Sequence, residues 1–243
     1  MATGYAERAA LYAIETRGLR APAVLDAHVR PGTVVAEAPS GAGHHLADYA
    51  RLGAVPVLFD AEAAMVTAAR ESLAATGLHG EAHRYRIGTD PPARRFPVVV
   101  CPNGALNQLT ASLGLRTTLH GLMDLLEPGG VLIAHVLLRH DDGTLDSAPC
   151  YDAAGAHDTW LHDWSRPDGH GGTLTRLRRQ HRDQDELRID FQRLHNGADL
   201  GCSTVHLSLL TTRALEHGPW QLLSATPHSR SMTEIALRKE AAA

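Results

Sequence analysis

Two glycines and a following acidic residue are the first feature of this sequence that indicates chemistry. Gly41 and Gly43 follow a short apolar segment, and Asp60 lies 17 residues beyond the second glycine, at the end of another apolar segment. A glycine turn lets the backbone approach a ligand closely, and the helix after it offers free N–H groups. An acid at the end of the second strand can accept hydrogen bonds from ribose hydroxyls. The pattern therefore predicts a nucleotide-containing cofactor.

Two cofactors make use of such a turn, NAD and S-adenosylmethionine. The NAD fingerprint has three glycines in the order G-x-G-x-x-G, whereas this turn reads "GAGHHL" and has Leu46 at the third position. The missing glycine counts against NAD.

The segments around the turn alternate between strand and helix patterns. Apolar runs predict five strands, at "TVVAEA", "VPVLFD", "HRYRIG", "FPVVVCP" and "VLIAHVLL". Three helices between them are predicted from apolar residues at helical spacing: Leu46, Tyr49 and Ala50; Met65, Ala69 and Leu73; and Leu115, Leu119, Leu122 and Leu126. The segment "EPGG" is expected to end the last of these helices. Strands separated by helices predict an α/β fold with a Rossmann-like, mostly parallel sheet and helices on both faces.

Both ends of the chain depart from this alternation. Residues 5 to 18 have helical spacing and predict an N-terminal helix ahead of the sheet. After Arg139, "ELRIDFQRL" and "STVHLSLL" alternate apolar and polar residues, which predicts an antiparallel C-terminal extension that extends or covers the sheet. We interpret the basic run "RLRRQHR" as a solvated strand and hairpin, because acidic residues follow it at once.

Composition excludes several classes of protein. Apolar residues make up 44% of the 243 and charged residues 21%, which is typical of a soluble globular chain. The formal net charge of −4 gives no general attraction to nucleic acid or to acidic membranes. Cys101, Cys150 and Cys202 are widely spaced, so neither disulfides nor a zinc site are expected. No apolar run reaches 18 residues and no signal peptide is visible, and we expect a cytoplasmic protein.

The chain resembles the class I S-adenosylmethionine-dependent methyltransferases. "EAPSGAG" is similar to their first motif, E/D-x-G-x-G-x-G, with Pro39 at the first glycine, and "FPVVVCPNGALNQLT" and "LLEPGGVLIAHV" resemble their fourth-strand and fifth-strand segments. "GYAERAALY" resembles the N-terminal lid helix of small-molecule methyltransferases. The resemblance implies a single methyltransferase domain over 1–243, with a lid helix in 1–30, a cofactor-binding half in 31–139, and an acceptor-pocket segment with antiparallel strands in 140–243.

The resemblance also implies roles for individual residues around S-adenosylmethionine. Gly41 and Gly43 would let the backbone approach the methionine part, and Glu37 would order the turn or reach the amino group. Asp60 would bind both ribose hydroxyls and Met65 would pack on the adenine. The remaining implied cofactor contacts are the lid residues Tyr5 and Tyr12, the residues Thr89 and Asp90 near the family's adenine-facing acid, and Asn103 after the fourth strand.

Methyl transfer from a sulfonium requires alignment and a deprotonated nucleophile. His135, at the end of the fifth strand, is the candidate general base, and a structural histidine hydrogen-bonded near the sheet edge is the alternative. Asn107 is a candidate substrate contact, although Asn103 and Asn107 are equally consistent with turn-forming residues. His44 and His45 lie in the first turn of the helix after the glycines, and one of them is expected merely to cap the helix or to face solvent. The acceptor pocket is expected in the loop-rich segment that contains Tyr151, Trp160 and Trp164.

The predicted function is methyl transfer to a nitrogen or oxygen of a small polar metabolite, most similar to the small-molecule N-methyltransferases of secondary metabolism. The expected partner is a small-molecule acceptor, with no metal, nucleic acid or membrane, and a homodimer is left open. Two alternatives also remain. One is an enzyme of this fold that binds S-adenosylmethionine but promotes a non-methylating cyclisation or rearrangement, and the other is a non-catalytic binding protein.

Overall fold

The structure is a computed structural model that describes residues 11–12, 14–148, 151–152, 157–227 and 232–240. Residues 11, 12, 14 and 15 are helical, in the region where the N-terminal helix is predicted. Tyr5 and the start of that predicted helix lie outside the described residues.

The main sheet has seven strands, and five of them run parallel. The order across it is β12-β13-β5-β4-β1-β2-β3, in which β13 is antiparallel to β5 and β12 is antiparallel to β13. The strands are β1 (Val34–Glu37), β2 (Val55–Asp60), β3 (Glu81–Arg84), β4 (Phe96–Cys101), β5 (Leu126–Val136), β12 (Trp220–Pro227) and β13 (Thr233–Lys239). The predicted mostly parallel sheet is confirmed.

Helices cover both faces of this sheet. One face packs against α1 (Leu25–His28), α2 (Leu46–Leu52) and α3 (Ala63–Thr76), and the other against α4 (Ala105–Leu113), α5 (Leu115–Asp124) and α6 (Thr212–Leu215). The predicted stripe on α3 is buried: Met65, Ala69 and Leu73 are at most 6% exposed. Within the residues described, no helix is both long and apolar enough to cross a membrane.

Two boundaries differ from those predicted. The third strand is Glu81–Arg84, so it begins before "HRYRIG" and ends within it. The helix that was expected to run to Leu126 ends at Asp124, because Leu126 already pairs with Phe96 as the first residue of β5. The "EPGG" segment therefore belongs to the start of a strand rather than to the end of a helix.

Four of the antiparallel strands form a second sheet of their own. It has the order β11-β10-β9-β8 and consists of β8 (His157–Pro167), β9 (Thr173–Asp183), β10 (Glu186–His195) and β11 (Ala198–Ser208). Two short strands, β6 (Ser147–Ala148) and β7 (Tyr151–Asp152), follow β5 along the chain and pair with each other. Leu187, Ile189 and Phe191 are buried as their alternation predicts. The C-terminal extension therefore does two things: β13 and β12 continue the main sheet in antiparallel orientation, and β8 to β11 form a separate sheet.

Asn107 on α4 connects the two sheets. Its side chain is fully buried, and its Nδ2 donates to Leu137 O at 2.9 Å and to Ser208 O at 2.7 Å. Its Oδ1 accepts from Leu137 N at 2.9 Å. Because these bonds use the side chain and leave none of it accessible, Asn107 is not placed to contact a substrate, which corrects its predicted role.

Replacing Asn107 by alanine should lower the free energy of unfolding by about 2–4 kcal/mol, because it leaves buried backbone groups without partners. Urea unfolding followed by circular dichroism measures this change. Ser112→Ala on the exposed side of the same helix is the matched control and should change stability by less than about 0.5 kcal/mol. Equal stability of the two variants would contradict the structural role given to Asn107.

Candidate functional site

A cavity of about 280 Å³ lies beyond the carboxyl ends of the parallel strands. This is where open α/β sheets bind ligands. Its walls come from the turns after β1, β2 and β4, from the N-terminal segment, and from the second sheet. The lining includes Tyr12, Glu15, Gly41, His44, Asp60, Glu62, Met65, Asn103, Arg176 and Val205.

Asp60 links the ends of the first two strands within this cavity. Its Oδ2 accepts from Gly41 N at 2.9 Å, and its Oδ1 accepts from Glu62 N at 2.9 Å. Burial raises the pKa of the Asp60 carboxyl, and the hydrogen bonds from Glu62 and Gly41 oppose that rise. Each oxygen has accepting capacity left after its backbone bond. Asp60 therefore supports the glycine turn and keeps accepting capacity at the cavity wall.

Both glycines of the turn are required by their backbone and by close packing. Gly41 has φ +53°, and a side chain there would collide with the ring of Tyr12. Gly43 has φ +76°, and a Cβ would lie 3.0 Å from Leu58 Cδ1. Tyr12 therefore lies over the turn at the cavity wall, in the region predicted to form the lid.

Glu37 faces the interior rather than the cavity. Its carboxylate is fully buried and accepts hydrogen bonds from the hydroxyl of Tyr49 and from His45 Nδ1, the latter at 3.1 Å. His45 is the N-cap residue of α2, but its side chain makes no capping bond, so the predicted capping role is wrong for His45. Burial, and then the charge of Glu37, raises the pKa of Tyr49 well above its ordinary value, so the phenol keeps its proton.

Asn103 and His44 form a polar pair at the cavity wall. Asn103 Nδ2 lies 2.7 Å from His44 Nε2 and 3.4 Å from His45 Nε2. Burial, with His45 as a second cause, lowers the pKa of His44 well below its ordinary value. His44 is therefore a neutral imidazole near pH 7, and it is a half-buried residue of the cavity wall.

His135 does not line the cavity, contrary to its prediction as the general base. It is 1% exposed, its Nδ1 accepts from Asn103 N at 3.3 Å, and its Nε2 lies 3.5 Å from Glu234 Oε1. Glu234 also accepts from the backbone N–H groups of Ala23 and Val24, each at 2.9 Å. The structural alternative is the one that the geometry supports, because His135 lies between the asparagine turn and the carboxylate that holds residues 23 and 24.

Buried ion pairs hold the N-terminal segment against the second sheet. Glu15 pairs with Arg193, whose side chain is 1% exposed, and lies 3.8 Å from Arg176 NH1. Arg166 NH1 donates to Ile14 O at 2.6 Å and to Glu15 O at 2.8 Å. This segment therefore closes one side of the cavity and is anchored by arginines of the antiparallel strands. None of these residues was identified from the sequence, in which Arg176 and Arg193 appear only as ordinary strand cations.

Several predicted site residues lie elsewhere. Thr89 and Asp90 line a second cavity with His120 and Asp124, so the structure does not bring them to the cofactor site. Trp160 is 38% exposed beneath Arg179, away from the cavity lining. Trp164 stacks on Arg176, with the guanidinium 5.0 Å from its ring centroid, and thus lies one layer behind the cavity wall. Tyr151 is placed in β7, and its side chain lies outside the described residues.

Glu37, His44 and His45 also have the composition of a metal site. Their potential ligand atoms lie within 4.8 Å of one another. However, both carboxylate oxygens of Glu37 and both ring nitrogens of His45 already take part in hydrogen bonds. The arrangement is accounted for as a hydrogen-bond chain, and the expectation of no metal stays a prediction.

The residues present fit S-adenosylmethionine in three respects. Asp60 offers a buried carboxylate with free accepting capacity at the end of β2, and Met65 is an apolar wall residue that is 2% exposed. His44 Nδ1 is buried and has no hydrogen-bond partner among the described residues, as expected where a ligand atom completes the site.

No family model matches the sequence, and no curated protein matches it either. Solved structures do match. A S-adenosylmethionine-dependent methyltransferase from Clostridium acetobutylicum has a TM-score of 0.68 at 12% identity, covering 98% of this chain and 93% of that one. CalS10, an amino pentose methyltransferase from Micromonospora echinaspora involved in calicheamicin biosynthesis, was solved with S-adenosylmethionine bound; it has a TM-score of 0.64 at 18% identity, covering 98% and 92%.

The sugar N-methyltransferase KedS8 from Streptoalloteichus sp. is also similar. Its TM-score is 0.62 at 20% identity, covering 97% of this chain and 87% of that one. At such identities the similarity concerns the fold. The chain has the fold of the class I S-adenosylmethionine-dependent methyltransferases over nearly its whole length, which confirms the predicted fold class.

The contact between His135 and Glu234 predicts a dependence of stability on pH. Burial alone would raise the pKa of Glu234, but hydrogen bonds from His135, Ala23 and Val24 outweigh it and lower the pKa from 4.5 to about 2. A carboxyl whose pKa is lower in the folded state stabilises the fold above its unfolded pKa. That contribution is lost as the pH falls through the folded pKa.

Glu234→Gln should therefore be less stable than the wild type at pH 7, and the difference should shrink between about pH 4.5 and pH 2. Urea unfolding at several pH values measures the difference. Glu71→Gln, at an exposed position, is the control and should follow the wild type throughout. A difference that stays constant from pH 7 to pH 2 would contradict the assignment.

Proposed function

We propose that this protein is an S-adenosylmethionine-dependent methyltransferase that acts on a nitrogen or oxygen of a small polar metabolite. The observation that carries the proposal is the buried pair of Asp60 and Gly41 at the cavity, on a sheet of the methyltransferase fold. Fold alone does not decide function, and it is the acid and the glycine at this site that favour the cofactor.

Each part of the site has a task in cofactor binding. Asp60 accepts hydrogen bonds from the ribose hydroxyls through the capacity that its backbone partners leave free. Met65 packs on the adenine, and the turn that contains Gly41 and Gly43 lies beside the methionine part. When bound, S-adenosylmethionine supplies an electrophilic methyl group on a sulfonium. The protein's own contribution is to hold the acceptor in line with that group and to exclude water.

The acceptor end of the cavity is built from the N-terminal segment and the second sheet. Tyr12 and Glu15 come from the segment, and Arg176 and Val205 from β9 and β11. This mixture of polar and charged walls suits a polar acceptor. CalS10 is described as an amino pentose methyltransferase and KedS8 as a sugar N-methyltransferase, and such acceptors are compatible with these walls.

His135 is not among the residues that line the cavity, and this favours nitrogen over oxygen as the methylated atom. A hydroxyl requires a base to remove its proton, whereas an amine that enters the site uncharged already has a lone pair. Glu15, the acid in this wall, is paired with Arg193. An amine of a small polar metabolite is therefore the acceptor class that the site supports best.

Asp60→Asn should weaken S-adenosylhomocysteine binding by about 1–3 kcal/mol, because asparagine has only one acceptor oxygen and no charge. Asp60→Ala should weaken it at least as much, since Gly41 N also loses its partner. Isothermal titration calorimetry measures both values. Asp142→Ala, at an exposed loop position, should bind like the wild type, and wild-type affinity in both Asp60 variants would refute the ribose assignment.

Titration of the wild type with S-adenosylmethionine, S-adenosylhomocysteine and NAD tests the proposed cofactor directly. We expect binding of the two adenosyl compounds and none of NAD. A panel of small amines with labelled methyl donor then tests transfer. Binding of NAD alone would refute the proposal, and cofactor binding with product rearranged but never methylated would move the assignment to the non-methylating enzyme.

A further inference from the structure

A continuous chain of hydrogen bonds runs from the core of the cofactor-binding half to the cavity wall. Tyr49 donates to Glu37, Glu37 faces His45 Nδ1 at 3.1 Å, and the amide of Asn103 joins His45 Nε2 to His44 Nε2. Tyr49, Glu37 and His45 are fully buried, whereas His44 lines the cavity. The chain therefore ends at a ligand-facing residue.

The contacts determine where the protons are. The amide nitrogen of Asn103 can only donate, so the Nε2 atoms of both histidines must accept. His45 then carries its proton on Nδ1, where the carboxylate of Glu37 accepts it. A neutral His44 whose Nε2 accepts carries its own proton on Nδ1. Every contact in the chain is consistent with this assignment.

The Nδ1–H group of His44 is the end of the chain that lacks a partner. It is buried, and no described residue accepts a hydrogen bond from it. A buried donor without an acceptor costs free energy, which is recovered when a ligand or a water supplies one. Because the residue lines the cavity, a ligand bound there can approach the imidazole ring.

We propose that His44 Nδ1–H is a cofactor-binding donor for the carboxylate of the amino-acid part of S-adenosylmethionine, held in this tautomer by Asn103 as a positioning residue. This inference rests on the proposed function. His44 belongs to the same turn as Gly41 and Gly43, which places it at the methionine part of the site. The carboxylate is the anionic acceptor in that part, whereas the neighbouring ammonium group is itself a donor.

Substitutions at His44 separate the role of each ring nitrogen. Asparagine places an amide donor near the Nδ1 position, glutamine places its polar atoms near Nε2, and leucine has neither. We expect S-adenosylhomocysteine to bind His44→Asn within about threefold of the wild type, and to bind His44→Gln and His44→Leu about tenfold or more weakly, as for a lost hydrogen bond to a charged group. The measurement is isothermal titration calorimetry.

A second probe tests whether the carboxylate is the partner. 5′-Methylthioadenosine lacks the amino-acid part, so its affinity should be the same in the wild type and in all three variants. If the affinity for both probes falls equally, His44 only supports the turn and the inference is overturned. If S-adenosylhomocysteine fails to bind the wild type, the proposed function itself fails, which is a distinguishable result.

The tautomer is observable without any ligand. Nitrogen-15 NMR of the histidine side chains should show His44 with its proton on Nδ1 and a lone pair on Nε2, and the spectrum should not change after EDTA treatment, which would remove a metal. An Nε2–H form of His44, or a change with EDTA, would overturn the assignment.

Asn103→Gly tests the positioning role. Asn103 has φ +56°, a conformation that glycine adopts without strain, so the substitution removes the amide while the backbone is retained. We expect His44 to lose its single tautomer and the affinity for S-adenosylhomocysteine to fall about threefold or more, with 5′-methylthioadenosine unaffected. Asn196→Gly, at another left-handed asparagine away from the cavity, is the matched control with φ +50°. An unchanged His44 tautomer in Asn103→Gly would contradict the role of Asn103.

Discussion

The buried carboxylate of Glu37 constrains the whole cofactor end of the sheet. A carboxylate without solvent must accept hydrogen bonds, and here it obtains them from Tyr49 and His45. These partners belong to α2 and to the residue just before it, so the requirement fixes how the helix starts relative to β1. The glycine turn between them then has little freedom. The positions of Gly41 beside Asp60 and of His44 beside Asn103 both follow from this attachment.

A second buried charge defines the other side of the cavity. Glu15 and Arg193 are 178 positions apart and almost inaccessible to solvent. Removing water from such a pair is costly, and replacing buried pairs by apolar residues is often neutral or stabilising. The effect of the Glu15–Arg193 pair is on geometry, because it fixes which part of the N-terminal segment faces the cavity. Arg176 strengthens this arrangement, since it contacts Glu15, Asp163 and the ring of Phe191 while also lining the cavity.

The features that could be predicted from the sequence are those that depend on residues close together along the chain. Apolar runs located β1, β2, β4 and β5, and alternation located β10 and its buried face, because period and burial are local consequences of strand geometry. The glycine turn and Asp60 were also predicted, since they are consecutive parts of one unit. Helix and strand ends were less accurate, as with Leu126, whose pairing with Phe96 is a tertiary contact.

Polar pairing between distant segments was not predictable in this way. His135 follows an apolar strand in the same manner as a catalytic residue would, and only the approach of Glu234 from β13 shows that its ring is used inside the protein. Asn107 was likewise predicted to contact a substrate, but its amide group donates hydrogen bonds to the carbonyl oxygens of Leu137 and Ser208. Conversely, His44 and His45 resembled surface or capping residues. Their roles depend on Glu37 and Asn103, which lie 8 and 58 positions from His45.

The two sides of the cavity are thus held by independent means, and this bears on how acceptor selectivity arises. The cofactor side is fixed by contacts among the parallel strands and the turns that follow them. The other side depends on the N-terminal segment, which the Glu15–Arg193 pair holds against the second sheet. That sheet is joined to the end of β5 through Asn107, which bonds both Leu137 and Ser208. Side chains such as Val205 can therefore change without disturbing Asp60 or Gly41. Because the two sides are built from separate elements, residues on one side can vary while the fold that is shared at 12–20% identity with solved methyltransferases is kept.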